Sequence, residues 1–303
     1  MIQQYYSNGK LLLSGEYLIL DGAVGLALPT SYGQSMAVSK NLTALLTWES
    51  FDHMQQSWFK VTFNLDDLSI RQVIGDQNVA LTLQRILKKV TALNPAFLGE
   101  YQGLLVKTFL DFPRIWGLGS SSTLINNIAQ WADVDPYQLL FESFGGSGYD
   151  IACAQNDSAI LYRLNKGVPN VRTISFQPDF GEHLYFVHLN RKQVSKDSIE
   201  LYKKGKSVTS KTIERVSNIS ASLVTCKTLN EFDRLLAEHE SILATVLHKK
   251  TLQQSLFTDF KGQTKSLGAW GGDFILATGD ENTPVYFKDK GFETVIPYSV
   301  MIK

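Results

Sequence analysis

At 303 residues the chain is too long for one small domain and suits two packed ones. Hydrophobic residues at 44% and charged residues at 19% form an ordinary globular balance, which excludes a disordered chain. Lysine plus arginine and aspartate plus glutamate both number 29, so net charge steers the protein toward neither nucleic acid nor an anionic membrane, with residues 191–206 as a local basic exception.

In chain order, residues 11–20 are apolar with Gly15 and Glu16 inside, and read as a strand, a glycine-permitted bend and a second strand. Residues 35–47 and 58–63 are β-rich, the latter alternating at Phe59, Val61 and Phe63, so the front of the chain is sheet. Asp76 can cap a helix to about Leu93 with Val79, Leu83, Ile86, Leu87 and Val90 on one face. A short strand at 104–109 and a loop at 111–119 precede helical spacing at Leu124, Ile125, Ile128, Ala129 and Trp131. Asp135-Pro136 is a cap followed by an N-terminal proline, and that helix stops at Gly145-Gly146. A short helix over Tyr149–Ala154 and a strand at 159–164 follow. Beyond residue 170 come a strand at 184–189 and helices near 199–224, Leu229–Leu247 and 252–260. A strand at 274–277, a helix near 282–290 and a strand at 294–297 complete the pattern. The expected domains are residues 1–170 and 171–303.

Four segments carry chemistry. The first is Pro113-Arg114-Ile115-Trp116-Gly117-Leu118-Gly119-Ser120-Ser121-Ser122-Thr123. Its glycines allow close backbone approach, and the helix that follows turns free N–H groups and its positive end toward the loop, an anion site in which phosphate is the usual guest. The serines add hydroxyl donors and a Mg²⁺ ligand. The same segment also reads as a flexible turn with a serine cap. It is no Walker loop, because Gly205-Lys206-Ser207 has Glu200 where glycine is required, and no dinucleotide fingerprint, because Ser122 replaces the third glycine.

The second segment, Asn8 through Tyr17, holds Lys10 beside an apolar strand, able to point a compact cation into a cleft or to end a strand in solvent. The third, Gly145-Gly146-Ser147-Gly148-Tyr149-Asp150-Ile151-Ala152, places Asp150 at a helix start. There a carboxylate is favoured in its charged form and either caps the helix or accepts a proton. Glu142, on the preceding helix, is an exposed charge or a metal ligand. The fourth, Lys265-Ser266-Leu267-Gly268-Ala269-Trp270-Gly271-Gly272-Asp273-Phe274, packs glycines before a strand, a sign of close approach or tight turning. A basic stretch containing Lys192, Ser195 and Lys196 can contact an anionic acceptor or be a solvated loop. The five histidines carry little signal; His239-Glu240 lacks the second histidine of a zincin.

In this order the four segments resemble the GHMP kinase superfamily, over a span from Gly9-Lys10 to Gly271-Gly272. The P-x-x-x-G-L-G-S-S pattern is complete over 113–121, and the second, third and fourth segments are most similar to the mevalonate kinase and phosphomevalonate kinase branch. The resemblance implies an α+β, two-domain fold with a ribosomal-protein-like N-terminal domain and a ferredoxin-like C-terminal domain. It implies an ATP-dependent kinase that uses Mg²⁺ and transfers a phosphoryl group to a small-molecule acceptor, mevalonate or phosphomevalonate. Kinases of sugars or amino-acid alcohols and a non-catalytic ligand sensor are the rival readings.

By the same resemblance Asp150 is the base and Lys10 its cationic neighbour. Gly117, Leu118, Gly119, Ser120, Ser121 and Ser122 cradle the nucleotide, Ser121 and Glu142 hold the metal, and Glu16, Tyr17, Gly271 and Gly272 face the substrate; Lys192 and Ser195 join them in the acceptor-contacting reading of the basic stretch. The departures are Asn8 for a proline, Tyr17 for the histidine common in mevalonate kinases, and Trp270 for a glycine, which puts an indole where backbone is expected. Two cysteines, Cys153 and Cys226, form neither a disulfide framework nor a zinc spacing. With no signal-like start and no long apolar run, the expected location is the cytoplasm, with no nucleic-acid or membrane partner; a homodimer is compatible with the resemblance.

Overall fold

The computed structural model describes residues 2–191, 199–200, 202 and 208–303. Their contacts separate two compact units that alternate along the chain. The first takes the described residues of Met1–Gly9, Tyr32–Arg114 and Leu118–Gln155; the second takes those of Lys10–Ser31, Ile115–Gly117 and Asn156–Lys303. The boundary expected between 170 and 171 falls within the second unit, because the chain contributes strands to that unit early and returns to it late.

In the first unit, strand β2 (Gly25–Lys40, from Tyr32 onward) pairs antiparallel with β6 (Leu104–Leu110), and β6 pairs parallel with β3 (Leu45–Phe51). β4 (Ser57–Asn64) and β5 (Ile70–Ile74) extend this sheet antiparallel. Period-two alternation buries Phe59, Val61 and Phe63 of β4 together with Trp48 and Val106. Helix α1 (Gln77–Leu93) starts where Asp76 accepts the Asn78 N–H at 2.8 Å, and its buried face holds Ala80, Leu83, Ile86, Leu87 and Val90. Helices α2 (Ser120–Ala132), α3 (Pro136–Ser143) and α4 (Tyr149–Ala154) pack on one another, contributing Ile125, Ile128, Leu139, Leu140 and Ile151 to the same core.

In the second unit, the end of β1 (Ile2–Ser14, from Lys10 onward) is followed by a 3₁₀ turn at Leu18–Asp21 where a second strand was expected. Leu18 and Ile19 are apolar because they fill a core, not because they alternate across a sheet. The early part of β2 pairs with β7 (Ile160–Asn165), and β7 with β8 (Val168–Thr173). A separate antiparallel sheet has the order β10 (Thr264–Ser266), β11 (Phe274–Thr278), β9 (Leu184–His188), β12 (Val295–Pro297). Two helices accompany it, α5 (Ser210–Thr225) and α6 (Leu229–Leu247), capped by Thr209 and Thr228. The helix expected over 252–260 is only Leu252–Ser255, opened by a Thr251/Gln254 capping box; beyond it Phe257 and Phe260 turn into an aromatic cluster with Tyr286 and Phe287. The helix expected over 199–224 starts at Ser210 in its continuous part, and most of 192–207 lies outside the described residues. Among the described residues no helix is long and apolar enough to cross a membrane.

Candidate active site

The anion cradle from Leu118 onward belongs to the first unit. Gly119 is the N-cap of α2 with φ 92°, a conformation costly for residues with a Cβ, and no side chain caps the helix. The first N–H groups of α2 thus keep their capacity to bind a negative group. Ser122 is buried and donates back to the Gly119 carbonyl at 2.8 Å, while Ser121 is exposed. A buried polar network fixes the helix from below. Ser7 Oγ donates to Asn127 Oδ1 at 2.7 Å and accepts from Asn126 Nδ2 at 2.8 Å. Asn127 Nδ2 reaches the Gln34 carbonyl at 2.9 Å, and Thr123 Oγ1 donates to Gln34 Oε1 at 2.8 Å. Sequence reading took only the apolar stripe of this helix; the signal for the network was the polar residues Thr123, Asn126 and Asn127 interleaved with that stripe.

Asp150 lies in the first turn of α4, half-buried, on a helix that packs against α2. Glu142 is exposed on α3, with Lys89 Nζ 3.4 Å from Oε2 and Gln138 Nε2 donating to Oε1 at 3.0 Å. The Gln138 hydrogen bond, then the lysine, holds its carboxyl below the usual range. Among the described residues no three His, Cys, Asp or Glu side chains converge to hold a metal ion.

The second unit carries the other half of the expected residues. Lys10 Nζ donates to the Gly117 carbonyl at 2.8 Å. Glu16, expected at the substrate, is 2% exposed and bound in the core: Lys265 Nζ lies 2.5 Å from its Oε1 and 3.9 Å from Glu240 Oε1. His239 Nε2 accepts the Gly15 N–H at 2.9 Å and lies 3.4 Å from Glu16 Oε2. Burial, reinforced by the Lys265 charge, holds the imidazole well below its usual pKa, in keeping with a neutral ring that accepts. Burial also pushes Glu240 up to about 8 and Glu16 upward, the latter against the pull of Lys265. One ammonium serves two carboxyls, and distance assigns it to Glu16.

Tyr17, also expected at the substrate, is buried with φ 63°, accepts the Trp270 N–H on its hydroxyl at 2.7 Å and packs on Tyr202 at 5.5 Å between centroids. The Trp270 indole joins that core beside Leu18, Val216 and Leu243. Glu16 and Tyr17 therefore tie the first glycine turn to the fourth segment, where Gly272 N–H closes a tight turn on the Ala269 carbonyl. Lys192 and Ser195 lie outside the described residues. Sequence reading gave no role to Lys265, His239 or Glu240, since the signal was a lysine inside a buried strand and a His-Glu pair dismissed for want of a second histidine.

The chain has the GHMP kinase fold, an α+β architecture with one large and one smaller sheet. Mevalonate kinase of Methanococcus jannaschii superposes with TM-score 0.68 at 14% identity, covering 97% of this chain and 96% of that one. Phosphomevalonate kinase of Streptococcus pneumoniae, solved with phosphomevalonate and AMPPNP, gives 0.69 at 15% identity with 95% of each chain covered. Galactokinase of Lactococcus lactis, solved with galactose, gives 0.68 at 11% identity, covering 95% of this chain and 88% of that one. No protein-family model and no curated protein matches the sequence.

Proposed function

We propose that this protein is an ATP-dependent small-molecule kinase that moves the γ-phosphoryl group of ATP to a hydroxyl or phosphate acceptor, with mevalonate or phosphomevalonate as the acceptor. The observation that carries this reading is the side-chain-uncapped start of α2, opened by Gly119, in a fold shared with a phosphomevalonate kinase solved with AMPPNP. Phosphoryl transfer passes through a loose, highly charged transition state, so the protein's task is positioning and charge stabilisation. In this reading the backbone of residues 117–122 cradles the phosphates and Lys10 stabilises the attacking oxygen. Where the acceptor is a hydroxyl, Asp150 orients it and takes its proton as the new O–P bond forms and ADP departs. Gly271 and Gly272 shape the acceptor side, while Glu16 and Tyr17 act through the turns they brace.

Mg²⁺ supplies charge neutralisation on the β- and γ-phosphates. The exposed Ser121 hydroxyl would be available to ligate that ion. Both oxygens of Glu142 are engaged, so Glu142 joins the set only by releasing Lys89 and Gln138.

Mg²⁺-ATP at 100 times its Kd should stabilise the protein by about 2.7 kcal/mol and raise Tm accordingly. Ser121→Ala should weaken the Mg²⁺-dependent part of that rise more than the metal-free part. Absence of any Tm rise at millimolar Mg²⁺-ATP counts against the nucleotide site. The likeness to galactokinase supports a sugar as the second acceptor class. ADP release measured over mevalonate, phosphomevalonate, homoserine and galactose decides between them, and turnover of none of these would leave the ligand-sensor reading ahead.

A further inference from the structure

The three residues before Leu118, Ile115–Gly117, group with the second unit although the chain on either side belongs to the first. Each is held differently. The Ile115 carbonyl accepts from His188 Nε2 at 3.2 Å. The Trp116 ring stands edge-on to Phe274, 5.5 Å between centroids at 86°, and Phe274 is itself flanked by the His188 ring at 5.1 Å. The Gly117 carbonyl receives Lys10, and its α-carbon faces the Asp273 carboxylate so closely that a Cβ there would lie 2.3 Å from Asp273 Cγ and Oδ2.

The holders are themselves rigid. His188 is 1% exposed; the Ile115 carbonyl can only accept, so Nε2 carries the proton of that bond, while Nδ1 lies 3.3 Å from the Asn190 backbone N and 3.4 Å from Asn190 Oδ1. Asp273 has φ 49°, unusual outside glycine, and is kept there by its N–H to the Arg191 carbonyl at 2.9 Å and its carbonyl to the Leu189 N–H at 2.8 Å. Backbone strain of this kind persists only where its surroundings over-determine it, and it clusters at functional sites.

We propose that His188 and Asp273 are positioning residues for the proposed kinase reaction: together they clamp Ile115–Gly117, which fixes the start of the nucleotide loop and the carbonyl that aims Lys10. The proposal rests on the kinase reading for its consequence, but the clamp itself is testable without nucleotide. Neither residue was among the expected site residues. In the sequence His188 is one of five histidines with little signal, and Asp273 closes the fourth segment without a role of its own.

The test uses the full chain. His188→Phe keeps a ring but removes the donor to Ile115; His188→Gln places an amide N–H where Nε2–H was; Asp273→Ala removes the carboxylate over Gly117. Hydrogen exchange of residues 115–122 should accelerate about tenfold in His188→Phe, the equivalent of one lost hydrogen bond, and should also accelerate in Asp273→Ala, which opens the space packed against the Gly117 α-carbon, while His188→Gln should restore slow exchange. Trp116 emission, isolated by difference against Trp116→Phe, should shift to the red in the same two variants. KM for Mg²⁺-ATP should rise about tenfold while acceptor KM stays within twofold. Unchanged exchange and emission in both loosened variants would overturn the clamp. Faster exchange with unchanged KM for Mg²⁺-ATP would overturn the positioning role. If His188→Phe does not fold, Asp273→Ala decides by the same readouts. Failure of the wild type to bind Mg²⁺-ATP would instead sink the kinase reading, with exchange still reporting on the clamp.

Discussion

Asp150→Asn is expected to fold normally and bind Mg²⁺-ATP yet lose on the order of 10²–10⁴ in kcat, the usual range for a positioned acid or base. That corresponds to roughly 3–5 kcal/mol of barrier. The substitution conserves size and keeps a side chain able to cap, so a local role at the start of α4 survives while the charge is lost. Lys10→Met should also lower kcat, and the double variant should fall short of the product of the two losses, because groups that act as a unit are not additive. Steady-state kinetics beside far-UV CD separates the outcomes. A folded, fully active Asp150→Asn removes the base from the mechanism, and an unfolded one favours a structural role.

Lys265→Met should cost about 3–5 kcal/mol of stability, measured by urea denaturation, because it strands the Glu16 charge in the core. Combining it with Glu16→Gln should recover part of the loss, since the pair then leaves together. Glu240 sets the pH dependence of this cluster. Its ordinary value is 4.5, and burial raises it to about 8 in the folded protein. The folded state therefore holds the proton more tightly. This contribution to stability is fully present below about pH 4.5 and is lost as pH rises through about 8. Glu240→Gln should flatten the fall in stability across that window and leave the variant the more stable of the two at pH 8. A steeper fall in the variant would show that Glu240 is ionised and needed by Lys265.

Features written in adjacent residues were legible. Asp76 and Asp135-Pro136 start their helices as expected because a cap is a local hydrogen bond, and Tyr149–Ala154 follows a glycine that ends the preceding bend. The order of the glycine segments was legible too, because each is a contiguous string. Harder to read were elements whose composition reflects burial instead of period. β10 is a strand of Thr264, Lys265 and Ser266, all buried, and in sequence it looks like a polar loop. The turn at Leu18–Asp21 is apolar for packing and so mimics a strand. Contacts between distant residues left no periodic trace at all: Glu16 and Lys265 are 249 positions apart. Without that pairing a glutamate after Gly15 reads as a ligand-facing group, when its near neighbours are Lys265 and His239.

The alternation of the two units along the chain has a consequence for dissecting the protein into pieces. A fragment of residues 156–303 carries both helices α5 and α6 and the whole four-stranded sheet, yet lacks the Lys10–Ser31 stretch. Without it β7 loses its β2 partner, Ser220 loses Ser14 and the Val24 carbonyl, Lys265 loses Glu16, and the cluster around Val216 and Leu243 loses Tyr17, Leu18 and Ala23. Cutting after Gln155 should thus yield a poorly folded carboxyl-terminal piece alone. Co-expression with residues 1–155 should rescue it, since that piece carries the missing hairpin, so the chain is suited to split-reporter complementation at this point.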